Sequence, residues 1–368
     1  MKKRTEFRAV SAEDPHTRDS GLFLFPISCK NHRNVLYCLP RVRWDRGRER
    51  RDDVDIENRA KRKREQLGGA LLLLLAAMIW GTTFAAQSEG ADKIPAFTFN
   101  GVRMLIGALT LTVFILIRSL VTGKRESRDR ILTAIRGGSL IGLALFGASS
   151  AQQFAFNDTD AGKIAFITAL YMFFVPLIGL FAGRRISAVT WTAAAVGFAG
   201  LYLLTIDPAE PFSVNRGDAL ALLCAVIYSF HILLVEKYAA QADGAWLSAV
   251  QFTVCGVLSV VMMFLTEAPK LPAILSAAPE LLWAGVMSCG VAFTLQVVGQ
   301  KRAEATAASL IMCMESVFGV LSAAVFLGDR MTGREILGCA VMFAAIVFSQ
   351  IGDVLLAALK KKRTERMR

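Results

Sequence analysis

The chain's most telling scarcity is charge in its middle. It carries 42 Lys and Arg against 30 Asp and Glu, a formal +12 over 368 residues, yet residues 67–358 hold 18 of each sign. The excess lies in residues 1–66, with 18 basic and 11 acidic groups, and in 359–368, with 6 and 1. A nucleic-acid-binding protein would spread basic charge over a polar fold, so this distribution argues against that class. Histidine is also scarce, at 3 residues. The 7 cysteines form no CxxC pair and are odd in number, which argues against a zinc site or a disulfide framework. Cys224, Cys255, Cys289, Cys313 and Cys339 fall in apolar runs and read as small buried hydrophobes. No GxxxxGK[ST], HExxH or GxSxG motif is present, and no paired Asp-rich prenyl-phosphate motif.

What the middle does hold is apolar length. Ten segments run at about 67–86, 97–117, 137–156, 161–182, 187–206, 217–235, 246–266, 280–300, 304–327 and 332–356. Each is near the ~20 residues a helix needs to cross a bilayer. Strands of that apolarity would leave open edges in lipid, so the segments are expected to be helices. Of the prolines after residue 66, only Pro176 falls inside a segment, where a kink is expected.

Lys and Arg in the short gaps set the orientation. One side carries 11, at Arg118, Lys124, Arg125, Arg128, Arg130, Arg136, Arg184, Arg185, Lys237, Lys301 and Arg302. The other carries 6, at Lys93, Lys163, Arg216, Lys270, Arg330 and Arg334. Basic runs at 61–64 and 360–363 widen the bias, so both termini are expected on the cytoplasmic face. Residues 1–66 read as a basic tail. It is either disordered or lies upstream of a translation start near residue 54. Residues 357–368 read as a second basic tail.

The second half repeats the first at an offset of about 145 residues. At 148, residues 71–80 fall on 219–228 and Arg103 falls on Gln251. At 144, Gln152 meets Gln296 and Tyr171 meets Glu315. Five helices per half is an odd number, so the halves would cross the membrane with opposite orientation, as in secondary transporters. The expectation is an all-α integral membrane protein of ten transmembrane helices in two inverted five-helix repeats, 67–206 and 207–356.

Particular motifs then resemble a known family. They are Trp80-Gly81-Thr82-Thr83-Phe84, then Phe97-Thr98-Phe99-Asn100 with Arg103, then Ala161-Gly162-Lys163. Further on come Thr168-Ala169-Leu170-Tyr171 with Pro176, Ala292-Phe293-Thr294-Leu295-Gln296, Glu315 to Phe318, and Leu327-Gly328-Asp329. In order, across about 67–356, they resemble the drug/metabolite transporter superfamily, EamA type. Ser316 stands where that family usually has Pro, and Asp329 where it usually has Glu. The resemblance implies transport of small metabolites.

Two charges stand out inside the apolar segments. Glu315 is about eleven residues into the ninth, or ~16 Å deep at 1.5 Å per residue, and Arg103 about six residues into the second, or ~9 Å. Charge there is costly and faces the bundle interior. Glu315 is a candidate proton-titrating or amine-binding carboxylate, or else a structural ion pair. Arg103 is a candidate partner for a substrate carboxylate or phosphate, or else pairs within the protein. The amides Gln152, Gln153, Gln296 and Gln300, with Thr82 and Thr83, must face inward for partners. Trp80, Tyr171 and Tyr228 can line a cavity or pack a core. His231 reads as a packed imidazole.

The substrate-contact set expected from the sequence is Trp80, Arg103, Gln152, Tyr171, Tyr228, Gln296 and Glu315. The function expected is a secondary transporter, an exporter or exchanger of a small organic metabolite in the plasma (inner) membrane. Coupling to protons or ions is open. No cofactor, metal or nucleic acid is expected. The alternatives are a non-transporting scaffold or sensor and, less so, a membrane-embedded enzyme.

Overall fold

The computed structural model describes residues 29–32, 35–38, 46–123, 126–206, 214–326 and 331–366. The chain divides into two units, 1–62 and 63–368. In the first, strands β1 (Cys29–His32) and β2 (Val35–Cys38) pair antiparallel with His32 opposite Val35. A helix, α1, runs Arg46–Lys93, and its stretch Arg64–Lys93, which belongs to the second unit, is long and apolar enough to cross a membrane.

The second unit is helical throughout its described residues: α2 (Ala96–Thr122), α3 (Arg128–Ala155), α4 (Ala161–Thr168), α5 (Tyr171–Phe181), α6 (Ala188–Thr205) and α7 (Arg216–Ala239). After these come α8 (Gly244–Thr266), α9 (Leu271–Ser276), α10 (Ala278–Leu282), α11 (Phe293–Gln300), α12 (Ala305–Met312), α13 (Met314–Phe326) and α14 (Gly333–Arg366). Among the described residues nine spans meet the length and apolarity of a membrane crossing, with α4–α5, α10–α11 and α12–α13 each serving as one. The tenth apolar segment lies in α14. The chain is an all-α membrane protein. The motif Leu327-Gly328-Asp329 lies outside the described residues.

Local chemistry sets the ends. Ser127 and Ser187 accept from the amides of Arg130 and Thr190 at the starts of α3 and α6. Asn215 and Asp218 exchange side-chain and backbone bonds in a capping box at α7. Asp243 caps α8, accepting from Ala245 and Trp246. At the end of α2, Gly123 turns left-handed (φ 65°) and its N–H reaches Ser119 O, satisfying a carbonyl the helix leaves open.

Three spans depart from a continuous α-helix. The fourth breaks at Ala169–Leu170, where Met172 N–H donates to Ala169 O and Phe173 N–H to Leu170 O, three residues back instead of four. The break lies upstream of Pro176, the expected kink point. The ninth span breaks at Cys313, where Ser316 N–H donates to Cys313 O. Here the interruption needs no proline, so Ser316 preserves it. In the eighth span, residues Trp283–Ala292 form a π-helix between α10 and α11. Such wide turns are strained and recur at functional sites.

The two breaks meet. Cys313 Sγ points at Ala169 O, 3.6 Å away, and Tyr171 Oη donates to Glu315 Oε1 at 3.4 Å. Around them α2 packs along α8, α3 against α7 and α8, and α6 against α14. Glycines at the crossings let backbones approach, since dispersion and close fit drive association in lipid. A Cβ on Gly200 would sit 2.8 Å from Met342 N, and one on Gly107 would meet Cys289 Cβ.

Candidate functional site

The broken and wide helices converge on one cavity. From α1 come Trp80, Phe84 and Gln87; from α2, Arg103; from α3, Gln152. The broken fourth span gives Thr168 and Tyr171, and α7 gives Tyr228 and Ile232. The π-helix gives Ser288, α11 gives Phe293 and Gln296, and the broken ninth span gives Met312 and Glu315. All seven residues selected from the sequence line this cavity.

Arg103 is buried, at 3% exposure. Its Nε donates to Asn100 Oδ1 at 2.9 Å and its Nη1 to Gln87 Oε1 at 2.7 Å. The acceptors are themselves held: Asn100 Nδ2 donates to Ser149 O and Gln153 Nε2 to Gln87 O. The Phe99 ring lies 5.3 Å from the guanidinium. Thus neutral amides from α1, α2 and α3 aim the cation, and among the described residues no carboxylate pairs with it.

Glu315 is 7% exposed and, among the described residues, its side chain's one hydrogen bond is the long one from Tyr171. It pairs with neither Arg103 nor any other described cation. A guanidinium and a carboxyl group therefore share a cavity with no ion pair between them. Trp80, Phe84, Tyr171, Tyr228 and Phe293 give the same cavity aromatic walls. Trp80 meets Phe293 edge-on with centroids 4.8 Å apart, and Tyr228 and Phe293 each stack edge-on against His231. Two lining atoms are buried without partners, the indole Nε1 of Trp80 and Oε1 of Gln296.

The remaining sequence candidates stand beside the cavity and hold helices together. Gln300 Nε2 donates to Ile232 O, His231 shares a bond with Gln251, and Thr82 Oγ1 accepts from Trp283 Nε1, whereas the Thr82 and Thr83 bonds to Ile79 O stay within α1.

A sequence model of a known family matches residues 67–206 and, again, 215–350; it describes the EamA-like transporter family. The chain belongs to the EamA-like transporter family. Relatives of this EamA chain carry matching descriptions. An "uncharacterized transporter" of Archaeoglobus fulgidus is 26% identical over 77% of this chain and 86% of its own length. Bacillus subtilis YoaV, also an "uncharacterized transporter", is 24% identical over 76% and 97%. Escherichia coli K12 YedA, an "uncharacterized inner membrane transporter", is 23% identical over 79% and 93%. One crystal structure, 20% identical, superposes with a TM-score of 0.62 over 78% of this chain and 98% of its own, which establishes the shared fold. This EamA chain is a multi-pass membrane transporter.

Sequence reasoning missed half of the EamA cavity's lining. Gln87 falls one residue past the expected end of the first segment, yet α1 continues to Lys93 and keeps it inside. Its signal was available: an amide seven residues after Trp80, two turns along the same helix face. Thr168 stands in the motif Thr168-Ala169-Leu170-Tyr171 but is not among the selected residues, and Ser288 and Met312, in the π-helix and beside the break at Cys313, give no signal. Phe84, Ile232 and Phe293 are apolar residues in apolar spans.

Proposed function

We propose that this EamA-family transporter is a secondary carrier that exports or exchanges a small organic metabolite by alternating access, with both termini cytoplasmic. The observation that carries this reading is the cavity itself, to which both family-matched segments contribute polar side chains at bilayer depth. The residues Trp80, Arg103, Gln152, Tyr171, Tyr228, Gln296 and Glu315 contact the solute.

The interrupted helices support the same reading. Transporter sites form where discontinuous helices from two inverted repeats meet near the midplane. Here the breaks at Ala169 and Cys313 are 144 residues apart in sequence and in contact in space, as are Tyr171 and Glu315. That is the offset at which the halves align, as a two-fold relation between inverted repeats would require. With no nucleotide-binding loop in the chain, the drive is a solute or ion gradient.

Purified protein in liposomes preloaded with a broad metabolite panel tests the proposal. Labelled solute should enter against preloaded unlabelled solute. Absence of exchange across the panel, from a monodisperse preparation, contradicts it and favours a scaffold or sensor.

A further inference from the structure

We propose that Asp218 and Glu236, at opposite ends of α7, are a pair of positioning residues that gate the transport cycle. Each latches the start of one half-helix and so closes the cavity toward one membrane face. This rests on the carrier reading of the cavity and names residues that control access to it. Three observations converge on it.

The first is the pair of half-helices. The fourth and ninth spans are each cut after eight residues, leaving α4 (Ala161–Thr168) and α12 (Ala305–Met312), whose starts are 144 residues apart. Each ends at a break beside the cavity, which Thr168 and Tyr171 line at one break and Met312 and Glu315 at the other. An interrupted ladder is where a helix bends. Neither start is capped by its own residue: Asp160 and Glu304 stand at the N-cap positions and make no side-chain cap bond among the described residues. Both starts are held from outside their own helix.

The second is what holds them. Lys163, in the first turn of α4, donates from Nζ to Asp218 Oδ2 at 2.7 Å. Just before α4, Thr159 Oγ1 donates to Asn215 Oδ1 at 2.7 Å and to Asp218 Oδ1 at 3.2 Å, and Asn215 Nδ2 donates to Asp158 O. The start of α4 is thereby tied to the start of α7. At the other end of α7, Glu236 Oε1 accepts from the N–H of Ala305, the first residue of α12, at 2.9 Å. Arg184 Nη1 lies 2.6 Å from Glu236 Oε2. Each latch thus sets one carboxylate against one cation and a neutral donor. Bonds of like kind at both ends suit a cycle that opens either end in turn.

The third is placement. Asp218 lies in the first turn of α7 and Glu236 in the last. At 1.5 Å per residue they are ~27 Å apart, close to the ~30 Å hydrocarbon thickness of a bilayer. Tyr228 and Ile232 of the same helix line the cavity between them. The two latches therefore lie toward opposite membrane faces, with the cavity in the middle. Alternating access needs one releasable closure on each side of the site. Releasing one latch frees that half-helix to swing about its break while the other latch holds.

The experiment uses full-length protein in sealed liposomes of determined orientation, with Ser288→Cys as a reporter in the cavity lining. A membrane-impermeant thiol reagent is applied from either side, and labelling of the same protein without the reporter is subtracted. Asp218→Asn should raise labelling through the face at the start of α7 about fivefold and lower it through the other face. Glu236→Gln should do the reverse. The magnitude is that of losing one charged hydrogen-bonded contact from one of two exclusive states. Lys163→Met and Arg184→Gln release the same latches from the partner side and should reproduce the two signs. A merely structural role would loosen both faces together. Labelling that is unchanged, or that moves the same way at both faces, overturns the assignment, as does failure of all four variants to accumulate. Where wild-type protein in the same liposomes still exchanges solute, the carrier reading survives that result. If the wild type exchanges nothing, both fall.

Discussion

The approach of α1 to α13 beside the cavity yields a paired prediction with opposite signs. Gly81 and Gly319 face each other where these helices cross, flanked by Trp80 and Glu315. A Cβ added at Gly81 would lie 2.7 Å from each of Glu315 O, Gly319 N and Phe318 Cβ. Two of those atoms are backbone and cannot rotate away. Ordinary carbon contacts need ~3.5–4.0 Å, so the helices must separate by most of an ångström. Overpacking of that kind costs about 1–3 kcal/mol. Three simultaneous close contacts, two of them with backbone, place it at the upper end, above the ~1 kcal/mol that alanine gains over glycine in a helix. The net for Gly81→Ala is a loss of about 1–2 kcal/mol. A Cβ at Gly319 meets Gly81 O at 3.6 Å and Gly81 Cα at 4.0 Å, both ordinary contacts. Gly319→Ala should therefore gain about 0.5–1 kcal/mol. Gly162→Ala is the control, since nothing lies within 4 Å of a Cβ there. Thermal unfolding of the detergent-purified variants, followed by tryptophan fluorescence, should rank Gly81→Ala below wild type and the other two at or above it. Gly81→Ala should also slow exchange, because its neighbours Trp80 and Glu315 line the cavity. Equal melting of Gly81→Ala and Gly319→Ala would refute the close approach.

Other consequences are equally direct. Glu267 accepts from the N–H groups of Phe97 and Thr98 and from Thr98 Oγ1, capping α2 from another helix end. Glu267→Ala should cost about 1–2 kcal/mol in unfolding, and Glu267→Gln less, since the amide retains an acceptor. Arg118 grips Asp243 with two parallel bonds of 3.0 and 3.1 Å, so Arg118→Lys, which loses the fork, should melt below wild type. Gln87→Leu removes the acceptor of Arg103 Nη1. It should weaken exchange at least as much as it lowers stability, whereas Gln300→Leu, off the cavity, should affect stability first. Ser316 Oγ is buried without a partner, so Ser316→Ala should leave the melting temperature unchanged or raised.

Span positions were legible because hydropathy reports length directly: the expected segment at 161–182 is the span Ala161–Phe181, and 246–266 lies within Gly244–Thr266. The seven candidates emerged because charge, amides and large aromatics in apolar helices must find an interior. What the sequence hid is backbone geometry. Nothing in the 283–292 run announces a π-helix, and the ninth span breaks at Cys313 without proline. These turns rotate Ser288 and Met312 to the lining. The relation of Arg103 to Glu315 was equally hidden, since pairing depends on which amides reach the guanidinium first, and Asn100 and Gln87 do.

The central claim is that this cavity holds the transported solute. A structure determined with an exchanged solute bound tests it most directly. The account predicts ligand density between Arg103 and Glu315, against Trp80 and Tyr228. Density for that solute elsewhere, with the cavity empty, would contradict it.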